Sequence, residues 1–242
     1  MRQVPYYLVI GSGRMATHIC YYLTLLNLPF IQWSRNKNSF SELTSHLKDT
    51  THILLLITDS NIHSFAQEMN IKPSQKLIHF SGQLSVEGIY STHPLMTFNQ
   101  DLYPLQTYQK IPFILENEGP ILSELLPGLP NPWYLIPKEL KTFYHALCVL
   151  SGNFSCILWQ KFFNELVNTF QLPAEVGIPY LKQIFHNIMI NPDTAVTGPL
   201  IRKDHATIDS HLKALQQDPF FKIYQSFSNT FLNLRKLNDE YY

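Results

Sequence analysis

The chain has 242 residues, of which 45% are hydrophobic and 15% charged, a balance too apolar for a disordered polypeptide and long enough for one large α/β domain or a mid-sized domain with a smaller partner. Eighteen basic and eighteen acidic side chains cancel to no formal net charge, which argues against nucleic-acid binding by broad phosphate neutralisation. Cys20, Cys148 and Cys156 have no close metal-ligand spacing, and an odd number of cysteines suits no disulfide framework. With no export signal at the start and no 18-residue apolar run, the expectation is a cytoplasmic protein without a membrane partner.

In chain order, residues 6–10 read as a buried strand. Met15, Ile19, Cys20, Leu23 and Leu26 then recur at helical spacing, predicting a helix that lays one face on a sheet and ends at Asn27 and Pro29. Residues 30–33 and 53–57 predict the next two strands, the second with the unbroken apolar run of a parallel strand covered on both faces. Further strands are predicted at 77–80, just before Ser81-Gly82, at 111–115 and at 132–136, with covering helices at 61–70 and 121–126. Beyond Pro137 the pattern becomes wholly helical. Residues 138–170 read as two helices or one bent helix, since Gly152 disfavours a helix by about 1 kcal/mol relative to alanine. Helices follow at 174–189, 204–216 and 220–237. The expected architecture is an α/β domain with a mostly parallel sheet over residues 1–137 and an all-helical domain over 138–242.

Gly11-Ser12-Gly13-Arg14-Met15-Ala16 matches G-x-G-x-x-G/A between a predicted strand and helix, the context that marks a Rossmann dinucleotide loop. Gly11 would permit the tight turn, Gly13 the approach of a pyrophosphate to the backbone, and Ala16 close packing of helix on sheet. The second strand is followed by Ser34-Arg35 and not by the acidic residue that holds the ribose hydroxyls of NAD. A hydroxyl and a guanidinium suit a 2'-phosphate, so NADP is predicted over NAD, although Arg35 also reads as an ordinary surface charge. Thr58 and Asp59 follow the third strand, where Asp59 can contact the cofactor or cap the next helix.

Four segments carry a resemblance to the Rossmann-like family whose C-terminal half is domain of unknown function 2520. They are the GSGRMA loop, Ser91-Thr92-His93-Pro94-Leu95-Met96-Thr97-Phe98, the stretch from Tyr144-His145-Ala146 to Asn153-Phe154, and Ala195 to Thr207 with His211-Leu212 after it. The wider group is similar to pyrroline-carboxylate, ketopantoate and 6-phosphogluconate reductases or dehydrogenases. Lys203 stands where the resemblance leads us to expect glycine. The resemblance implies an N-terminal NADP-binding fold, a helical C-terminal domain and a homodimer.

For the chemistry, His93 is placed in a loop after the fourth strand, at the sheet edge that faces ligands, where it can touch substrate or simply hold the loop. Lys141, His145 and Asn153 fall one and two helical turns apart and can form a strip offering a cation, a proton donor and an orienting amide. Lys141 reads equally as a solvent-facing charge. Thr197, Gly198 and Arg202 form a predicted substrate loop in which Arg202 can bind an anion or a structural carboxylate, with Asp204 or Thr207 as a local cap. The histidines show no zinc spacing, so no metal is predicted. The expected function is hydride transfer between NADP(H) and a small polar, anionic carbonyl, imine or hydroxy substrate. A non-catalytic dinucleotide-binding or regulatory protein is the alternative.

Overall fold

The computed structural model describes residues 6–239, with the side chains of 235–239 outside the described set; the opening stretch from Met1 to Pro5, read above for an export signal, lies outside it. Strand β1 (Tyr7–Ile10) is buried along its whole length. Tyr7 and Val9 enter one apolar cluster with Ala16 and Ile19 of helix α1 (Arg14–Leu25), while Leu8 and Ile10 enter a second cluster with Trp33 and Leu43 on the other face. A strand covered on both faces needs apolar side chains at consecutive positions, which explains the unbroken run. Helix α1 ends where Asn27 enters the left-handed region at φ 54°, a conformation asparagine tolerates.

Strand β2 (Phe30–Trp33) occupies the predicted positions. Helix α2 (Phe40–His46), absent from the sequence reading, begins with a capping box: the Ser39 hydroxyl accepts the Glu42 N–H and the Glu42 carboxylate accepts the Ser39 N–H at 2.6 Å. Its S-x-x-E signature was present in the sequence. Strand β3 (His52–Leu55), helix α3 (Asp59–Gln67) and strand β4 (Lys76–His79) follow. Strand β5 (Tyr90–Pro94) corrects the placement of His93 and Pro94 in a loop. This segment is polar and ends in proline, so it lacks an apolar strand signature. It pairs with β4 only through Tyr90 and Ser91, then antiparallel with strand β6 (Phe113–Glu116) through Thr92, His93 and Pro94. Proline is tolerated there because Leu95 N–H turns to the β6 side, which leaves position 94 facing the β4 side beyond the point where β4 pairing ends.

Short helices α4 (Leu105–Gln109) and α5 (Leu122–Leu125) lie before and after β6, and strand β7 (Trp133–Ile136) pairs parallel to β6. The sheet order is β2-β1-β3-β4-β5-β6-β7, parallel except between β5 and β6. After a 3-10 turn over Lys138–Leu140 come α6 (Lys141–Cys148), a π turn over Val149–Asn153 that contains Gly152, and α7 (Phe154–Asn168). The sequence left open two helices or one bent helix; the chain forms one helical run with a π turn inside it.

The compact units divide between Leu158 and Trp159, so α6, the π turn and the start of α7 belong with the sheet. The second unit, taken by itself, is all helical: the rest of α7, α8 (Ile178–Ile190), α9 (His205–Ala214) and α10 (Phe221–Asp239). Within it Lys161 pairs with Glu165 and with Asp218, each at 2.6 Å, and Trp159, Phe162, Phe163 and Tyr180 form an aromatic cluster. Asp204 caps α9 by accepting the Thr207 N–H at 3.1 Å. Lys203 has φ 55°, in the left-handed region that favours glycine, which gives a backbone reason for the glycine expected at this position. No helix among the described residues is long and apolar enough to cross a membrane.

Candidate functional site

The C-terminal ends of β1, β2 and β3 open onto a cavity of about 490 Å³ lined by Gly11 to Met15, by Trp33 to Asn36, and by Thr58, Asn61 and Phe65 among others. Gly11 has φ 141°, and a Cβ there would stand 2.2 Å from the Leu56 carbonyl oxygen, so only glycine lets the loop pass this close to the segment after β3. A Cβ built on Gly13 would meet nothing within 4 Å, leaving the backbone open to the cleft. Gly13 is also the N-cap of α1 and supplies no side-chain cap to the first-turn amides. Open amides at the positive end of a twelve-residue helix form a cradle for a phosphate, so these residues fit a dinucleotide. Ala16 is fully buried in the core and lies outside the cavity lining.

Ser34 and Arg35 line the same cavity, and the Arg35 guanidinium lies 5.6 Å from the centre of the Phe65 ring. Thr58 lines it as well, with its hydroxyl accepting from the Asn61 amide at 2.9 Å. Asp59 does not line it. Its carboxylate accepts from the Ser81 hydroxyl at 2.6 Å and the Gln83 amide at 3.2 Å, so it ties the turn after β4 to the start of α3.

Arg14 and Met15 also border a second cavity of about 850 Å³, lined further by His93, Met96, Phe98, Tyr144, His145, Cys148, Ser151 and Asn153. Here β5 brings His93 against α6. The His93 Nδ1 and the Tyr144 hydroxyl are 2.8 Å apart, and the His93 and His145 rings stand perpendicular with centres 5.9 Å apart. The π turn widens the helix so that Ser151, Gly152 and Asn153 face the same cavity as His145, a device frequent at functional sites. Gly82 completes the arrangement from the opposite side: a Cβ there would come within 2.5 Å of His145 Cδ2 and 3.1 Å of His93 Nε2. Burial, with His145 and Lys141 nearby, pushes the His93 pKa down to about 4 against a smaller opposing pull from Asp59. His93 is therefore a neutral imidazole at physiological pH.

Lys141 is placed differently from the strip envisaged in the sequence reading. It is buried, and its ammonium is enclosed by the Leu84 carbonyl, the Ser91 hydroxyl and the Glu116 carboxylate, the last at 2.9 Å. It is neither solvent-facing nor part of the lining of the cavity. A lysine one turn before His145 points to the sheet and not to the site, its ammonium reaching Ser91 on β5 and Glu116 on β6.

Thr197, Gly198 and Arg202 belong to the second unit, where Thr197 and Arg202 are exposed and the Arg202 N–H reaches the Gly198 carbonyl at 3.3 Å. Gly198 has φ 89°. No group of histidine, cysteine or carboxylate side chains suited to hold a metal occurs among the described residues.

Tyr144 and Gly82 were not singled out from the sequence. Tyr144 sits beside His145 in a quoted segment, but its role depends on contact with a residue 51 positions away. Gly82 follows a strand like many turn glycines, and only the two rings packed against it distinguish it.

Residues 113–231 match the family described as a domain of unknown function, DUF2520. A comparison with curated proteins found no match. Among solved structures, the chain is similar to a Bacteroides fragilis protein described as a candidate NADP oxidoreductase, at 23% identity and TM-score 0.76 over 95% of this chain and 98% of the other. It is also similar to protein TM1727 of Thermotoga maritima, at 21% identity and TM-score 0.68 over 96% and 99%. A third likeness is to 1-pyrroline-5-carboxylate reductase of Streptococcus pyogenes, at 14% identity and TM-score 0.58 over 94% and 96%. At these identities the likenesses establish the shared fold.

Proposed function

Starting from a chain with a Rossmann fold whose residues 113–231 match the DUF2520 family, we propose that it is an NADP(H)-dependent oxidoreductase acting on a small, polar, anionic substrate with a C=N or C=O group, or on the corresponding reduced compound. The observation that carries this reading is the junction of the two cavities. The one framed by the glycine loop and the one lined by His93, Tyr144, His145 and Asn153 share Arg14 and Met15 as a common wall. A dinucleotide with its pyrophosphate at Gly13 would supply hydride at that junction. Arg14 provides a positive charge for an anionic substrate, Asn153 an amide to orient the reacting group, and the His93, Tyr144 and His145 cluster a source of protons. The names of the Bacteroides and Streptococcus relatives support the same class of reaction.

The preference for NADP rests on Arg35. It lines the cleft at the end of β2, where an acidic residue would favour NAD. Fluorescence titration is expected to show NADPH binding at least tenfold more tightly than NADH, with Arg35→Ala removing most of the difference. Equal affinity for the two would overturn the preference. A panel of cyclic imine carboxylates and 2-oxo acids tests the reaction class, and tight NADPH binding without turnover would favour a dinucleotide-responsive regulator.

The homodimer is supported by α8, which has no buried residue and exposes Tyr180 at 58%, Met189 at 76% and Ile190 at 71%. A helix this apolar is normally covered, and a second copy of the chain is its proposed cover. Light scattering over a range of protein concentrations is expected to give the dimer mass; a monomer throughout would reject it.

A further inference from the structure

The Tyr144 hydroxyl and the rings of His93 and His145 all line the second cavity, and each can deliver a proton. Lys141 is removed from the choice by its enclosure against Glu116. From the 2.8 Å contact between the Tyr144 hydroxyl and His93 Nδ1, we infer that Tyr144 is the catalytic proton donor and that His93 behind it replaces the proton. This inference rests on the oxidoreductase reading above.

Burial and a hydrogen bond with Cys148 push the Tyr144 phenol above its ordinary range, so the hydroxyl keeps its proton. A phenol has one proton and can accept others. When His93 Nδ1–H donates to the phenol oxygen, the Tyr144 proton is left to point elsewhere, towards the Cys148 thiol one helical turn on, which lines the same cavity. A sulfur is a weak acceptor and yields to a substrate nitrogen or oxygen that gains negative charge. The neutral imidazole of His93 has one donating and one accepting nitrogen, which lets it give a proton at Nδ1 and take one at Nε2. The Nε2 edge faces the Gly82 backbone beside the His145 ring, and His93 lines the cavity.

In the reducing direction a bound dinucleotide would supply hydride to the substrate carbon, a C–H bond forming as the π pair of C=N or C=O moves onto the heteroatom. That atom takes the Tyr144 proton. The bonding pair left on the phenol oxygen takes the proton from His93 Nδ1, and Nε2 takes one from solvent, so the ring ends neutral as the other tautomer. The bound dinucleotide would supply both electrons as that hydride, so no further oxidant or reductant is needed.

The test uses the full chain and the isosteric variant Tyr144→Phe. Nitrogen-15 NMR of histidine-labelled protein without ligands is expected to show His93 protonated at Nδ1, with Tyr144→Phe shifting the ring towards the Nε2–H form. An Nε2–H ring in the wild type, with the phenol proton held by Nδ1, would overturn the relay whatever the enzyme turns over. With 1-pyrroline-5-carboxylate, 1-pyrroline-2-carboxylate and 2-oxo acids as probes, Tyr144→Phe is expected to lower kcat about 100-fold or more while the NADPH Kd and the KM stay within about twofold. Unchanged kcat in Tyr144→Phe with loss in His145→Gln would assign the proton to His145. NADPH binding by the wild type with no turnover of any probe would remove the oxidoreductase reading, and the relay with it.

Discussion

Replacing Lys141 with methionine is expected to lower the unfolding free energy by about 3–5 kcal/mol, because it leaves the Glu116 carboxylate without its counter-charge in a partly enclosed site. The Lys141 side chain is 4% exposed and that of Glu116 20% exposed. Three oxygens from three parts of the chain converge on the ammonium: the Leu84 carbonyl, the Ser91 hydroxyl on β5 and the Glu116 carboxylate on β6. Methionine matches the length of the stem and supplies none of these hydrogen bonds. Burial depresses the Lys141 pKa while Glu116 raises it, so the charge is held in place by its partner and not by solvent. Glu116→Gln should be milder, since the amide oxygen still accepts from the ammonium, and the pair Lys141→Met with Glu116→Leu should recover much of the loss. Urea unfolding monitored by tryptophan fluorescence measures each value. A Lys141→Met protein within 1 kcal/mol of wild type would show that the pair contributes little to stability. Since Lys141 opens α6, the same substitution is expected to loosen His145 and Tyr144, which makes Lys141 a positioning residue for the cavity.

Acidification from pH 6.5 towards pH 4 is expected to remove about 3 kcal/mol of stability for each of His79 and His93. Burial is the main cause of the depression of both to about 4. Lys141 adds to it for both rings and His145 for His93, while Asp59 opposes it. In the unfolded chain both rings take up a proton as the pH falls through 6.5, whereas in the folded protein they do so only near 4. The unfolded state therefore binds more protons in this window, and the stability that is fully present above pH 6.5 is lost as the pH falls through it.

His79 has the clearer physical basis. Its Nδ1 accepts the Ser81 N–H at 3.2 Å, which leaves the neutral ring protonated at Nε2, a buried atom with no hydrogen-bond partner among the described residues. A second proton would have to enter a fully buried ring beside Lys141. His79→Asn retains an acceptor for the Ser81 N–H and does not titrate, so it should remove about half of the slope. Urea midpoints at pH 7.0, 5.5 and 4.5 test this, and a flat stability across that range would reject it.

Much of the sheet unit could be read along the chain because its signals are local. The run from Leu8 to Ile10 is buried on both faces, Phe30–Trp33 is a strand between a left-handed Asn27 and a turn, and Gly11 and Gly13 sit where a strand meets a helix. Strand β5 escaped because its polar residues are covered by neighbours distant in sequence: His93 pairs with Ile114 and contacts Tyr144. Lys141 was misplaced for a similar reason. Helical spacing sets it one turn from His145, but the direction of the first turn of α6 depends on which surface the helix lies against, and no periodicity encodes that. Asn153 needed the π turn, which the lone Gly152 hinted at without fixing its geometry.

The sequence alone therefore determined the class of the fold, the glycine loop, the absence of an acidic residue after β2 and the change to helices beyond Pro137. Each depends on spacing or residue type within a few turns of chain. The tertiary structure decided which side chains meet. It placed Lys141 on Glu116, tied Asp59 to the turn after β4, and set Gly82 against two histidine rings with Tyr144 behind one of them. These contacts join residues tens of positions apart, and their chemistry depends on burial and distance, which exist only once the sheet and α6 have packed.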